Sequence, residues 1–259
     1  MREVEISESF QCEHSTSYPS TNPVVSSSND TNESAVPNVS SQSNIFSKLK
    51  YKLRKHKGLN IVHLNVRSLL PKMDEIIWMC DFLNLDVICI SESWLNTNIA
   101  NEDMTIEGYS SLRKDRTDKN GGGVVIYIKN TINFKNRPDI NSDDMLEMIW
   151  IEIVTNGSDP NVLLSCTYRP PNANCEYVSA LIDSFVKAES EDKEMVLLGD
   201  LNFDYSVDEN MHNNPLFLIE SMFSMTQLIQ SPTRVTNTSS SLLDVILSTC
   251  PSTHTLSGV

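Results

Sequence analysis

The stretch Met145–Val154 constrains the fold more than any other part of this chain. Leu146, Met148 and Trp150 fall on one alternating face, and Ile149, Ile151 and Ile153 fall on the other. A strand that is apolar on both faces must be covered on both, which places it in the interior of a layered α/β protein. Val162–Thr167, Met195–Leu198 and Leu242–Leu247 read as further buried strands. Nearer the N-terminus, Leu59–Leu64, Asp86–Ser91 and the β-branched run Val124–Ile128 do the same. Helices are predicted between them. Pro71 suits a first helical turn, and Met73, Ile76, Ile77, Cys80 and Leu83 follow at helical spacing. Glu176–Lys187 and Pro215–Phe223 are helical by the same pattern. This alternation predicts the α/β class, as a multilayer α/β sandwich.

Composition divides the chain into three parts. Residues 1–43 are rich in Ser, Asn, Thr, Glu and Pro, cannot bury enough surface to offset ordering entropy, and are predicted to be a disordered tail. Residues 44–58 carry Lys48, Lys50, Lys52, Arg54, Lys55 and Lys57 and read as a basic linker. Such a stretch is a solvated or frayed segment, or else serves nuclear import or phosphate contact. Residues 59–259 form the globular domain, without internal repeats. No apolar run is long enough for a bilayer and the N-terminus is acidic, so neither a signal peptide nor a membrane partner is expected and an intracellular location is. The cysteines form no CxxC pair and are expected to be reduced thiols. No stable protein partner is evident. A formal net charge of -14 counts against gripping nucleic acid by bulk electrostatics. Clustered carboxylates, however, also build divalent-metal sites that change the local field.

Polar residues with chemical potential recur at the strand ends, where loops converge on one rim of an α/β sheet. Asn65 follows the first strand, Glu92 the second, Tyr168-Arg169 the strand ending at Thr167, and Asp200-Leu201-Asn202 the strand Met195–Leu198. Asn65 could equally cap a helix, Glu92 could be an exposed loop charge, and Gly199-Asp200 with Asn202 would suit a turn. Asp244 is harder to dismiss, because a carboxylate inside an apolar strand is costly unless bonded. His63, within the first strand, reads as a packed or edge histidine.

The ordered set resembles the endonuclease/exonuclease/phosphatase superfamily, and within it the endonuclease domains of LINE-type (non-LTR) retrotransposons. The residues carrying the resemblance are Leu64-Asn65-Val66-Arg67-Ser68-Leu69, Asp86–Leu95 with Ser91-Glu92-Ser93-Trp94, Gly121-Gly122-Gly123-Val124 and Tyr168-Arg169-Pro170-Pro171. Leu197–Asn202, Ser231-Pro232-Thr233-Arg234-Val235-Thr236 and Ser241-Leu242-Leu243-Asp244 complete the series. The Arg-Ser-Leu after Asn65, the triple glycine and the Pro-Thr-Arg segment favour the retrotransposon branch over the repair branch.

The resemblance implies a metal-dependent DNA endonuclease that nicks target DNA to prime reverse transcription, with an intracellular, nuclear site of action. Glu92 with Asn65 would hold Mg²⁺ or Mn²⁺. Asp200 would orient or deprotonate the attacking water, Asn202 would position the phosphate, and Tyr168 would bond a phosphate oxygen. Arg169 and Thr236 would contact substrate phosphate, and Asp244 would orient a catalytic histidine. In relatives that histidine lies in a Ser-Asp-His motif after the Asp244-type strand. This sequence reaches Leu256-Ser257-Gly258-Val259 without it, so the domain is expected to be C-terminally truncated and short of full activity. His254 stands alone in a Ser/Thr-rich stretch and is not expected to take its place. The alternatives are a non-catalytic retrotransposon-derived remnant or a phosphatase of the same fold. Asp204 replaces the basic residue expected after a Gly-Asp-Leu-Asn motif in inositol polyphosphate phosphatases, which disfavours that substrate.

Overall fold

Strands that are apolar on both faces are satisfied by a four-layer arrangement, seen in a computed structural model that describes residues 3–7, 39–55, 58–117, 121–141, 143–155, 160–205 and 214–258. The first sheet contains β1 (Glu3–Ser7), β2 (Gly58–Asn65), β3 (Val87–Ser91), β4 (Tyr109–Lys114), β5 (Val124–Lys129) and β14 (His254–Leu256), in the order β14-β1-β2-β3-β5-β4. The second contains β6 (Phe134–Asn136), β7 (Glu147–Ile153), β8 (Val162–Tyr168), β9 (Glu194–Asp200), β10 (Thr226–Gln227) and β13 (Asp244–Ser248), in the order β10-β13-β9-β8-β7-β6. A small ribbon, β11 (Arg234–Val235) with β12 (Ser240–Ser241), precedes β13.

The sheets face each other across a core that joins Ile61, Cys89 and Ile126 of the first to Ile149, Ile151 and Cys166 of the second. Helices α1 (Val39–Lys55) and α2 (Met73–Leu83) cover the outer face of the first sheet, with Leu49, Leu53, Ile76 and Leu83 packed beside Val62, Ile88 and Tyr127. Helices α3 (Cys175–Glu189) and α4 (Pro215–Phe223) cover the second. There Trp150 meets Phe185 edge-on at 5.5 Å and donates its indole N–H to Ser184 Oγ at 2.9 Å. Trp150 and Ile149 thus serve opposite faces of one strand, as the sequence pattern requires. The crossover helices make β2 and β3 parallel, and β8 and β9 parallel. All four strands therefore end at the same rim.

Two segments differ from the sequence reading. The tail assigned to residues 1–43 contains β1, which pairs in parallel with β2 and β14; five residues are too few to stand out from that composition. Residues 8–38 of the tail lie outside the described residues. The basic linker is largely α1, anchored because Leu49 and Leu53, one turn apart, are buried against α2.

Gly199 is a strand residue rather than a turn residue. A Cβ built there would lie 1.9 Å from the Thr167 carbonyl oxygen on β8. Gly199→Ala should therefore part β8 from β9 and destabilise the fold by about 3 kcal/mol or more. Urea unfolding would read this as a lowered midpoint, and an unchanged midpoint would refute the close approach.

Candidate active site

The register of the second sheet sets Tyr168 and Asp244 on either side of Asp200, one on β8 and the other on β13. Across the gap between the sheets, Asn65 at the end of β2 donates its Nδ2 to Asp200 Oδ2 at 2.7 Å and to Glu92 Oε1 at 2.8 Å. One side-chain amide therefore brings together carboxylates from two different sheets. Asn202 N–H donates to Asp200 Oδ1 at 3.0 Å, and its side chain donates to the Arg169 carbonyl at 2.8 Å.

The loops that carry these groups are wound tightly. Arg67, Ser68, Glu92, Trp94 and Asn202 all have positive φ, between 42° and 93°. Such conformations cost on the order of 1–3 kcal/mol each and persist only where the surroundings over-determine them. Here backbone hydrogen bonds do so. Ser68 and Leu69 N–H donate to the carbonyls of Glu92 and Ser93, both at 2.9 Å, and Ser93 and Trp94 N–H donate to Gly123 and Gly122 at 3.2 and 2.9 Å. The Arg-Ser-Leu and triple-glycine motifs thus form the two walls around Glu92. Gly122 has φ 68°, and a Cβ on it would lie 2.4 Å from atoms of Arg116 and Glu147. Those two side chains pair through Arg116 Nε and Glu147 Oε1 at 2.7 Å, and Glu147 also accepts the Gly123 N–H.

Burial governs the electrostatics. Asp200 is pushed up to about 6 by burial; the charge of Glu92 adds to the shift, while the hydrogen bonds from Asn65 and Asn202 oppose it. Asp244 is pushed up to about 7, again by burial first and then by the charge of Asp200. Behind Asp244 sits His63, 2% exposed, with Nδ1 3.5 Å from Asp244 Oδ1 and Nε2 3.1 Å from Ser91 Oγ. Burial depresses its pKa to about 3. The Tyr168 phenol is raised by burial and by the nearby carboxylates Glu92 and Asp200, so it stays protonated at neutral pH.

Asn65, Glu92, Tyr168, Asp200 and Asn202 line one cleft of about 370 Å³, together with Arg67, Trp94 and Arg234. A larger cleft of about 600 Å³, lined by Lys114, Arg116, Asn172 and Asn174 among others, shares Tyr168 and Pro171 with it. Asp244 lies buried beneath the rim, its backbone N–H donated to Thr233 Oγ1 at 3.1 Å.

Two expected phosphate contacts are not brought into the cleft. Arg169 is 7% exposed; its guanidinium donates to the carbonyls of Ala173 and Leu201 and lies 4.0 Å over the Phe203 ring. Thr236 is exposed at the end of the β11–β12 ribbon, where its hydroxyl bonds Ser239. From the same motif it is Thr233 and Arg234 that reach the site. His254 bonds Ser248 Oγ at 2.7 Å, at the end of β13 remote from Asp244, and does not approach the cleft. Arg67, Trp94 and Arg234 lie inside motifs visible in the sequence, but positive-φ turns, which the sequence does not announce, carry Arg67 and Trp94 to the cleft, and the β11–β12 ribbon carries Arg234.

The donor set fits a hard cation. Glu92 Oε1 and Asp200 Oδ2 converge on one nitrogen, and Asn65 Oδ1 is buried without a hydrogen-bond partner. Among the described residues no cluster of three or more His, Cys, Asp or Glu could hold a metal. An oxygen-liganded ion that keeps most of its waters suits a sparse set of this kind.

A two-sheet α/β sandwich with carboxylates gathered on one rim matches the endonuclease/exonuclease/phosphatase fold. The model of the Endonuclease/Exonuclease/phosphatase family matches residues 38–254, and the chain belongs to that family. Among solved structures, it is similar to the endonuclease domain of TRAS1, a telomere-specific non-LTR retrotransposon, at 14% identity and TM-score 0.54, covering 73% of this chain and 84% of that one. It is also similar to the AP endonuclease LMAP from Leishmania major, at 15% identity and TM-score 0.56, covering 73% and 78%. A third is the 3′ phosphatase NExo from Neisseria, bound to product DNA hairpin, at 15% identity and TM-score 0.51, covering 74% and 87%. No curated protein sequence matches the chain.

The two buried groups on β2 and β13 should leave opposite marks on stability. A carboxyl raised on folding stabilises the folded chain below its unfolded pKa and loses that contribution as pH rises through the folded value; a depressed histidine does the reverse. With divalent cations chelated, Asp244→Asn should remove a fall of about 1.4 kcal/mol per pH unit between pH about 4 and about 7. His63→Gln should remove a rise of about the same slope between pH about 3 and about 6.5. Urea unfolding at several pH values, taken as differences from wild type, checks both; parallel curves would contradict them.

Proposed function

We propose that the chain is a divalent-metal-dependent DNA endonuclease of the non-LTR retrotransposon type, nicking target DNA in the nucleus so that the freed 3′ end primes reverse transcription. The observation that carries this reading is the Asn65 amide joining Glu92 and Asp200 in the wall of a cleft that is also lined by Arg67 and Arg234. Glu92 and Asn65 would hold Mg²⁺ or Mn²⁺, which when bound supplies Lewis-acid stabilisation of the scissile phosphate and the leaving oxygen.

The remaining work falls to side chains of this protein. Asp200, with its pKa lifted to about 6, is poised close to neutrality to take a proton from the attacking water. Tyr168 keeps its phenolic proton and so can donate a hydrogen bond to a phosphate oxygen. Asn202 secures Asp200 through its backbone N–H. Asp244 and His63 form the buried layer behind Asp200. The retrotransposon branch is favoured because its distinguishing motifs are the ones that wall Glu92 and deliver Arg67 and Arg234. TRAS1 supplies a structural likeness in the same direction. Asp204, the residue that disfavours an inositol substrate, accepts the Leu242 N–H at 3.1 Å.

Supercoiled-plasmid nicking in Mg²⁺ or Mn²⁺ tests the proposal, run beside a 3′-phosphate duplex and an inositol polyphosphate. Wild type should nick, and Glu92→Ala and Asp200→Asn should each lose at least ~100-fold while remaining folded by circular dichroism. Phosphate release without nicking would move the assignment to a phosphatase. A folded chain that hydrolyses none of the substrates would be a non-catalytic remnant.

A further inference from the structure

Trp94 is the cleft residue to which the proposed chemistry gives no task. It is 44% exposed, yet its backbone sits at φ 54°, a costly conformation for so large a side chain. Three contacts hold it there. Its N–H donates to the Gly122 carbonyl at 2.9 Å, its indole Nε1–H reaches Glu92 Oε2 at 3.3 Å, and its ring edge borders Gly121, where a Cβ would come within 3.5 Å of Nε1. The other strongly exposed tryptophan, Trp78, is stacked on Phe82 and met edge-on by Phe46. Trp94 has no aromatic partner among the described residues, and it lines the cleft with Arg67 and Arg234. An exposed indole fixed in place in a cleft shared with two arginines, beside the carboxylate of a proposed phosphodiesterase site, has the make-up of a stacking platform for nucleic acid.

We infer that Trp94 stacks on a nucleobase adjoining the scissile phosphate while Arg67 and Arg234 take the flanking phosphates. This rests on the endonuclease reading and adds a substrate class to it. Inside a duplex both faces of a base are already occupied by its neighbours, so the ring can engage only an unpaired or displaced nucleotide. The favoured target is therefore DNA with one unstacked base at the nick position: a single strand, a mismatch, or a flexible pyrimidine–purine step. Because every base offers a π face, the contact selects local structure more than base identity.

The test separates stacking from a positioning role through the indole N–H. Binding of a short labelled single-stranded oligonucleotide is followed by anisotropy in EDTA, and quenching of intrinsic fluorescence is followed in a Trp78→Phe background. Trp94→Ala should weaken binding by about 5- to 150-fold, and Trp94→Phe, which keeps a ring but loses the bond to Glu92, should restore most of the affinity. The oligonucleotide should quench the remaining exposed indole. Unchanged binding in Trp94→Ala, or Trp94→Phe as weak as Trp94→Ala, overturns the inference. Plasmid nicking is measured in parallel. Nicking without quenching removes the stacking role alone, whereas loss of both nicking and oligonucleotide binding in the folded wild type removes the nucleic-acid reading with it.

Discussion

The hydrogen bonds from the Asn65 amide, 2.8 Å to Glu92 and 2.7 Å to Asp200, are the constraint around which the cleft is organised. They can form only if the ends of β2 and β9, in separate sheets and 135 residues apart in the chain, arrive level with each other. That levelling comes from the shared core between the sheets and from crossover helices that make all four parallel strands end at one rim. The choice of an amide also matters. A lysine between the two carboxylates would neutralise them, whereas a neutral donor fixes their positions and leaves their charge available to a cation.

Keeping acids beneath that rim is costly, and the surrounding residues show how the cost is distributed. Asp244 is buried in an apolar strand, supported by Thr233 at its backbone N–H and faced by His63, itself buried and held neutral. Glu147 is met by Arg116 and by the Gly123 N–H. Asp200 accepts hydrogen bonds from Asn65 and Asn202, which oppose without cancelling the rise that burial gives its pKa. The strained turns follow the same logic. Five residues in left-handed backbone surround the cleft; carbonyls of the triple-glycine segment hold the loop that carries Glu92 and Trp94, and the carbonyls of Glu92 and Ser93 in turn hold the loop that carries Arg67 and Ser68. Rigid loops at this rim are therefore obtained at the expense of local stability, which the four-layer core can supply.

How much of this was legible in the sequence depended on whether periodicity or tertiary context fixed each part. Trp150 and Ile149, on opposite faces of one strand, announced the layering because burial on both sides leaves a compositional trace. The helix Pro215–Phe223 was marked by its proline and apolar stripe. By contrast, β4 carries charged and polar residues on an edge strand, and β1 and β14 are too short to show a period. Helix α1 was hidden because its cations dominate its composition while only Leu49 and Leu53 do the packing. At the site, Asn65, Glu92, Tyr168, Asp200 and Asn202, each at or within two residues of a strand end, share the cleft. Arg169 and Thr236 lie close by in sequence but point elsewhere, since the direction of a loop side chain is set by hydrogen bonds that no spacing rule encodes.

The acidic balance of the chain acquires a different meaning once the charges have positions. With 34 acidic against 20 basic residues, the molecule as a whole repels a polyanion, and attraction at long range cannot bring it onto DNA. In the two adjoining clefts cations stand among carboxylates, Glu92 and Asp200 in one and Asp115, Asp144 and Glu147 in the other. Arg67 and Arg234 line one, Lys114 and Arg116 the other, with Tyr168 and Pro171 between them. In the proposed reaction the charge of the paired carboxylates Glu92 and Asp200 would be partly offset by the cation they recruit. Recognition would then rest on short-range contacts, with phosphates held by a few arginines and a base held by Trp94, rather than on a broad basic surface. On the proposed reading, a protein of this charge confined to short-range contacts would read the shape and deformability of its target, because bulk electrostatics would give it little non-specific hold on duplex elsewhere.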